Sequence, residues 1–252
     1  MYLLHSPMIS AKNISKSYSS KEVLKNIDLD ISEGNTVALI GPSGCGKSTL
    51  LRIIMGLIEA DSGIISIEGE SVSKENVLQI RQKIGYVIQK GGLFPHLTAR
   101  ENSTLAADYL GWSSSKTEKR LSELAELVQI DKNLLNRKPD DLSGGQAQRI
   151  SLIRALMLDP KIILLDEPLG SIDPLVRHEL QSDLKKIFQE LQKTVLLVTH
   201  DLGEAAFLGN EIVLMKEGEI IQQGNIRQII SNPVNEFVEQ FVSAQRSPLE
   251  EY

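Results

Sequence analysis

Four apolar runs punctuate the chain: Thr36-Val37-Ala38-Leu39-Ile40, Ile84-Gly85-Tyr86-Val87-Ile88, Ile162-Ile163-Leu164-Leu165 and Thr194-Val195-Leu196-Leu197-Val198. None alternates apolar with polar positions. Both faces are therefore apolar, the pattern of strands buried inside a parallel sheet. A loop and a longer helical stretch follow each run, which predicts βαβ units and an α/β architecture. Two segments break the rhythm. Residues 8–31, with Ile64-Ile65-Ser66-Ile67, read as shorter alternating strands of a small antiparallel sheet. Residues 91–160 read as mainly helical, with helical periodicity over 116–128 and again after Ser143, and form an insert between core strands. Residues 212–215 and 219–222 flank Lys216-Glu217-Gly218 as a hairpin, and an amphipathic stretch over 225–241 follows. The expected organisation is one domain over 8–246, with a core from 8–90 and 161–246 and a helical part over 91–160.

Composition narrows the classes. The 252 residues are 41% hydrophobic and 24% charged, ordinary values for a globular chain. With 27 basic and 33 acidic side chains the net charge is −6, and aromatics are 4%. Both argue against a broad nucleic-acid surface or a base-stacking platform. One cysteine, Cys45, excludes an intrachain disulfide, and no Cys/His spacing suggests zinc. The first eight residues lack the basic head and apolar core of a signal peptide. No apolar run approaches the roughly 20 residues that span a bilayer. A soluble, cytosolic chain is expected, one that borrows another protein's spanning helices if it works at a membrane.

Gly41-Pro42-Ser43-Gly44-Cys45-Gly46-Lys47-Ser48-Thr49 fits G-x-x-x-x-G-K-[ST] between a strand and a helix. Gly44 and Gly46 let backbone N–H groups approach phosphate oxygens, and the helix start adds its dipole. Lys47 is placed to neutralise β- and γ-phosphates and Ser48 to ligate Mg²⁺. Cys45, beside Lys47 and a helix N-terminus, is expected to react with thiol reagents. The run 162–165 ends in Asp166-Glu167, at the strand edge where α/β sheets bind ligands. Asp166 is a candidate Mg²⁺ holder and Glu167 a candidate general base. Leu142-Ser143-Gly144-Gly145-Gln146 opens another helix, with Ser143 and Gln146 at capping-box spacing. Two glycines at a helix start each cost about 1 kcal/mol relative to Ala, which suggests a close approach to that backbone. Lacking a lysine and lying far along the chain from the first loop, this turn reads as completing a site built mainly by another subunit.

Phosphate loop, Gln89 after a strand, Leu-Ser-Gly-Gly-Gln, Ile-Ile-Leu-Leu-Asp-Glu and His200 after a strand occur in that order. With them the chain resembles the nucleotide-binding ATPase subunit of an ABC (ATP-binding cassette) transporter, over nearly its whole length. The resemblance implies a P-loop NTPase (RecA-like) core with a small antiparallel β-subdomain and an inserted helical subdomain. It implies that residues 41–49 are the Walker A loop and that Tyr18 stacks on adenine. It further implies that Gln89 touches Mg²⁺ and the attacking water, that His200 contacts the γ-phosphate, and that Asp173, in Gly170-Ser171-Ile172-Asp173, belongs to a loop crossing a dimer interface. ATP and Mg²⁺ are the implied ligands. Two subunits, identical or not, would trap two ATP molecules head to tail, each between a phosphate loop and the opposing Ser143–Gln146 turn. Permease subunits would dock on the helical part at the cytoplasmic face of the membrane, with a substrate-binding protein acting indirectly and no nucleic acid involved. Ile172, Ala147 and Ser103 depart from the common pattern without touching the phosphate chemistry.

Gly85-Tyr86-Val87-Ile88-Gln89, Gly92 to Thr98, residues 166–174 and residues 199–205 are similar to bacterial importer ATPases, especially those for quaternary amines such as glycine betaine and choline. Polyamine, sugar and amino-acid importers share much of this, exporters and lipid-transport systems share the motor, and a soluble ATPase acting on nucleic acid has the same motifs. Some osmoprotectant ATPases end in paired regulatory modules, for which the residues after Gly224 leave no room.

Overall fold

The computed structural model describes residues 7–19, 21–89, 92–170 and 172–245. The domain limits expected at Lys90, Gly91 and Arg246, together with residues 1–6, Ser171 and residues 247–252, lie outside the described residues. In chain order the elements begin with β1 (Ile9–Tyr18), β2 (Lys21–Ile31), β3 (Thr36–Ile40) and α1 (Lys47–Ile54), then β4 (Ser62–Ile67), β5 (Glu70–Ser71), α2 (Val77–Gln82) and β6 (Ile84–Val87). Next come α3 (Ala99–Tyr109), α4 (Ser114–Leu127), α5 (Gly144–Leu156), β7 (Ile162–Asp166) and α6 (Pro174–Leu191). The last are β8 (Thr194–Val198), α7 (Leu202–Leu208), β9 (Glu211–Lys216), β10 (Glu219–Gly224), α8 (Ile226–Ser231) and α9 (Glu236–Ala244). The chain divides into two compact units, Met1–Ile80 with Thr194–Tyr252, and Arg81–Lys193.

The first unit carries two sheets. One is antiparallel, in the order β2-β1-β4-β5. Its first two strands, ten and eleven residues long, exceed the short strands expected. They stay paired through register shifts between Ala11 and Ile14 and between Ile14 and Lys16. Such bulges absorb an extra residue and add twist. In the other sheet β3 lies parallel to both β8 and β9, and β10 runs antiparallel beside β9. The expected 212–222 hairpin is thus part of the core sheet. Val37 to Ile40 and Val195 to Val198 are all 0% exposed. Each large side chain among them contributes roughly 1.5–3 kcal/mol of apolar burial. Leu202, Ala205, Ile229, Val238 and Val242 pack on the same cluster as Ala38, Ile40, Ile212 and Leu214. The amphipathic stretch over 225–241 divides into α8 and α9, because Pro233 cannot donate a helical hydrogen bond and Asn225 and Asn235 each cap a new helix.

In the second unit β6 and β7 pair in parallel, from Ile84↔Ile162 to Val87↔Leu165. The parallel strands expected from the four apolar runs are therefore present within each unit. Helix α5 packs against α3, α4 and α6. Two short 3₁₀ turns, Lys132–Asn136 and Pro139–Asp141, separate α4 from α5. No described helix is long and apolar enough to cross a membrane.

Candidate functional site

The phosphate-loop candidates lie in the first unit, between β3 and α1. Gly41, Gly44 and Gly46 take φ of 146°, 80° and 109°. Packing also excludes a side chain at two of them, Gly41, where a Cβ would collide with the Met215 carbonyl oxygen, and Gly46. A Cβ on Gly46 would stand 2.6 Å from Leu24 Cδ2 and 2.7 Å from the Val23 carbonyl oxygen. Gly46 is also the N-cap of α1, and no side chain caps that end. The first-turn N–H groups of a helix have no intrahelical acceptor, so this end is built to face an anion. Lys47 is 6% exposed, and its Nζ donates to Gly41 O at 2.8 Å and Pro42 O at 3.0 Å. The loop thus holds its ammonium on two carbonyls that a phosphate oxygen could outcompete. The Gly218 N–H donates to Cys45 O at 3.2 Å, tying the loop to the β9–β10 turn. Pro42, Ser43 and Gly44 are exposed, and Ser48 and Thr49 half-buried.

Cys45 departs from expectation. Its thiol is 5% exposed, beneath the loop and 3.8 Å from Lys47 Nζ. Burial opposes the reactivity expected from its neighbours.

In the second unit Asp166 ends β7 and is 5% exposed. Glu167, the next residue, takes φ 46°. For a residue with a Cβ this left-handed backbone costs about 1–2 kcal/mol, a strain typical of functional turns. The Gln89 Nε2 donates to Glu167 Oε2 at 2.9 Å. The structure therefore brings together two of the candidates, 78 residues apart, and aims the amide at one carboxylate oxygen. Gln89 follows β6 as β6 ends at Val87, one residue short of the expected strand.

The Ser143 turn has the expected capping box. Ser143 Oγ accepts the Gln146 N–H at 3.3 Å, and Gln146 Oε1 accepts the Ser143 N–H at 3.0 Å. The two glycines differ. A Cβ on Gly145 would stand 2.7 Å from Val176 Cγ1 of α6, so this glycine serves packing inside the chain. Around Gly144 nothing lies within 4 Å of that position. Ser143 and Gly144 are exposed, so an approaching ligand meets these two.

The remaining candidates are Tyr18, His200 and Asp173. Tyr18, 45% exposed at the end of β1, has Lys16 Nζ 5.6 Å from its ring centre. A half-open ring already faced by a cation suits an aromatic platform. His200 is exposed after β8, in a turn fixed on both sides. Thr199 Oγ1 donates to Glu204 Oε2 at 2.6 Å, Asp201 caps α7, and Gln245 Nε2 donates to His200 O at 2.9 Å. Asp173 is exposed, and its carbonyl accepts the Arg177 N–H at 2.8 Å. Among the described residues no group of three His, Cys, Asp or Glu side chains could hold a metal. The candidate donors Ser48, Gln89 and Asp166 are all oxygen ligands. Oxygen is the donor type that Mg²⁺ takes, with waters and phosphate oxygens filling the rest of its shell.

Two residues that the sequence reading passed over organise this region. Asn102 is fully buried, and its Oδ1 accepts Phe94 N–H at 2.7 Å while Nδ2 donates to the carbonyls of Phe94, Leu97 and Thr98. Arg149 Nη1 donates to Val128 O at 2.6 Å, and Nη2 lies 2.8 Å from Asp183 Oδ2. For Arg149 the signal was present: a charged residue on a helix whose neighbours Ile150, Leu152 and Ile153 are apolar and buried.

A protein-family model described as ABC transporter matches residues 24–170. The chain belongs to this family. Over 240 residues it is 46% identical to the glycine betaine/carnitine/choline transport ATP-binding protein OpuCA of Bacillus subtilis, covering 95% of this chain and 63% of that one. The ABC chain thus spans 63% of that curated relative's length. It is 42% identical over 234 residues to the glycine betaine uptake system ATP-binding protein YehX of Escherichia coli, covering 93% and 76%. Among solved structures, the dimeric post-hydrolysis state of the ATP-binding cassette MJ0796 bound to ADP and Pi matches with a TM-score of 0.80 at 37% identity, covering 87% of this chain and 99% of that one. Fold class and family therefore stand as the motifs implied.

Proposed function

We propose that this chain is the ATP-hydrolysing subunit of an ABC importer, working as a dimer around two MgATP to drive uptake of an osmoprotectant such as glycine betaine or choline. The observation that carries it is the phosphate loop, a positive-φ glycine turn that opens α1 with a buried lysine held on loop carbonyls. Lys47 leaves Gly41 O and Pro42 O to neutralise the β- and γ-phosphates, while the loop N–H groups from Gly44 to Thr49 cradle their oxygens. Tyr18 stacks on the base. Ser48, Asp166 and Gln89 would hold Mg²⁺, which offsets phosphate charge when bound. Glu167 takes the proton of a water that Gln89 orients as that water attacks the γ-phosphorus, while the bond from the γ-phosphorus to the β–γ bridging oxygen breaks and ADP leaves with that oxygen. His200 donates to the γ-phosphate oxygens. Ser143, Gly144 and Gln146, with the backbone of Gly145, close on the nucleotide held by a second subunit, and Asp173 crosses the interface.

The solutes for which OpuCA and YehX are named support the solute class. The dimeric cassette with ADP and Pi supports the assembly. In this reading permease subunits anchor the dimer peripherally at the cytoplasmic face, and a substrate-binding protein delivers the solute to them. The test is Glu167→Gln. That variant is expected to bind ATP, stop turnover and elute as a dimer in MgATP on size-exclusion chromatography. Normal hydrolysis by the variant removes the general-base role. Reconstitution with the copurifying permease, with glycine betaine and choline screened first, tests the solute.

A further inference from the structure

We propose that Arg154 is a positioning residue for Gln89, wiring the helix that carries the Ser143 turn to the loop beside Glu167. The inference rests on the reading of Gln89 and Glu167 as the hydrolytic pair. Helix α5 is unusually dry: Gly145, Gln148, Ile150, Ser151, Leu152, Ile153, Ala155 and Leu156 are all buried. A guanidinium on such a helix must find acceptors, since it stays charged at any pH a protein meets. Arg154 Nη1 donates to Gly92 O at 2.8 Å. Burial pushes the Arg154 value below its usual range, as expected of a cation held away from water.

Gly92 lies three residues after Gln89 and takes φ 51°. A Cβ at Gly92 would collide with the Ile88 side chain, so Gly92 packs directly on the residue before Gln89. Arg154 therefore holds Gly92, which packs on Ile88, the residue beside Gln89. The Gln89 amide in turn donates to Glu167 Oε2 at 2.9 Å. At the opposite end of α5, eleven residues from Arg154 and about 16 Å along the axis, sits Ser143. Arg149 fastens the middle of the helix to Val128 O and to Asp183 of α6. A nucleotide that pulls on Ser143 thus acts on a braced rod whose far end holds the Gln89 turn. The device couples closure on a neighbour's nucleotide to the alignment of this chain's own attacking water.

The experiment is a double-mutant cycle on the full chain, reading MgATP turnover, affinity for a fluorescent ATP analogue and urea unfolding. Arg154→Met is expected to lower kcat about tenfold or more while nucleotide affinity stays within about twofold. Arg154→Lys, which keeps the charge and one donor, is expected to recover much of that loss. If Arg154 acts through Gln89, adding Arg154→Met to Gln89→Ala lowers kcat no further than Gln89→Ala alone. Should methionine unfold the helix, Arg154→Lys in the same cycle carries the comparison. A wild-type kcat in Arg154→Met beside an impaired Gln89→Ala overturns this inference alone, and so do losses that multiply in the double variant. A wild-type chain that does not hydrolyse MgATP, or full kcat in Gln89→Ala, overturns the hydrolytic reading and the inference with it.

Discussion

Replacing Asn102 with alanine isolates the energetic role of one buried amide. Asn102 is 0% exposed and binds the backbone of the Phe94–Thr98 segment that leads into α3. Not every partner is lost. Phe94 O keeps the Leu97 N–H at 3.2 Å, and Thr98 O keeps the Asn102 N–H at 2.9 Å. Phe94 N–H, however, loses the 2.7 Å acceptor, and Leu97 O loses the side-chain donor at 3.2 Å. The Phe94 bond is only partly buried, so its orphaned N–H costs about 1 kcal/mol, the low end of the range for an unpaired donor, and the carbonyl and vacated space add to it. The expected loss is about 2–4 kcal/mol, well within the 5–15 kcal/mol of an ordinary domain, so the variant still folds. Urea unfolding followed by the fluorescence of Trp112, the chain's one tryptophan, measures it within the same unit. A lower midpoint at unchanged slope is expected. A loss below about 0.5 kcal/mol would refute the claim that this amide holds the segment, because one unpaired N–H alone exceeds it.

Cys45, 5% exposed, is expected to react with iodoacetamide at least about tenfold more slowly in the folded chain than in urea, by mass spectrometry; equal rates would place the thiol at the surface. Asp159 is held below the usual carboxylate value chiefly by the Lys193 ammonium at 2.9 Å, with Arg120 adding to it. A lowered folded value means that the stabilisation is present above the unfolded value and fades as pH falls through the folded one. The stability difference between wild type and Asp159→Asn is therefore expected to shrink on acidification, from under about 0.5 kcal/mol at neutral pH given the 65% exposed carboxylate. A difference that grows in acid contradicts the assigned cause. Gly46→Ala is expected to cost about 2–4 kcal/mol and to abolish ATP binding, since φ 109° and the Leu24 and Val23 contacts both exclude a methyl; ATP binding at wild-type strength contradicts it.

Much of the fold was legible because its signals are local. Doubly apolar runs such as Thr36–Ile40 and Ile162–Asp166 are buried at every position, and periodicity finds such strands directly. The capping boxes at Ser143 and Thr98 are spelled out within four residues. What escaped depends on contacts distant in sequence. The length of β1 and β2 is sustained by bulges that neither strand announces alone. The packing of Gly145 against Val176, 31 residues away, is a long-range contact that the local motif does not announce. Cys45 looked reactive because chain neighbours are visible in sequence and burial is not. Arg154 reads as an ordinary helical arginine until Gly92 is seen beside it.

The central claim is that the Ser143 turn serves a nucleotide held by another subunit, and subunit mixing tests it most directly. Lys47→Ala and Ser143→Arg are each expected to abolish MgATP turnover. In a mixed dimer the intact phosphate loop of one subunit meets the intact Ser143 turn of the other. Equal mixing is therefore expected to restore turnover to about a quarter of wild type, half the dimers being mixed with one of their two sites whole. No recovery on mixing, with dimers shown to form, or full turnover by Ser143→Arg alone, would contradict the account.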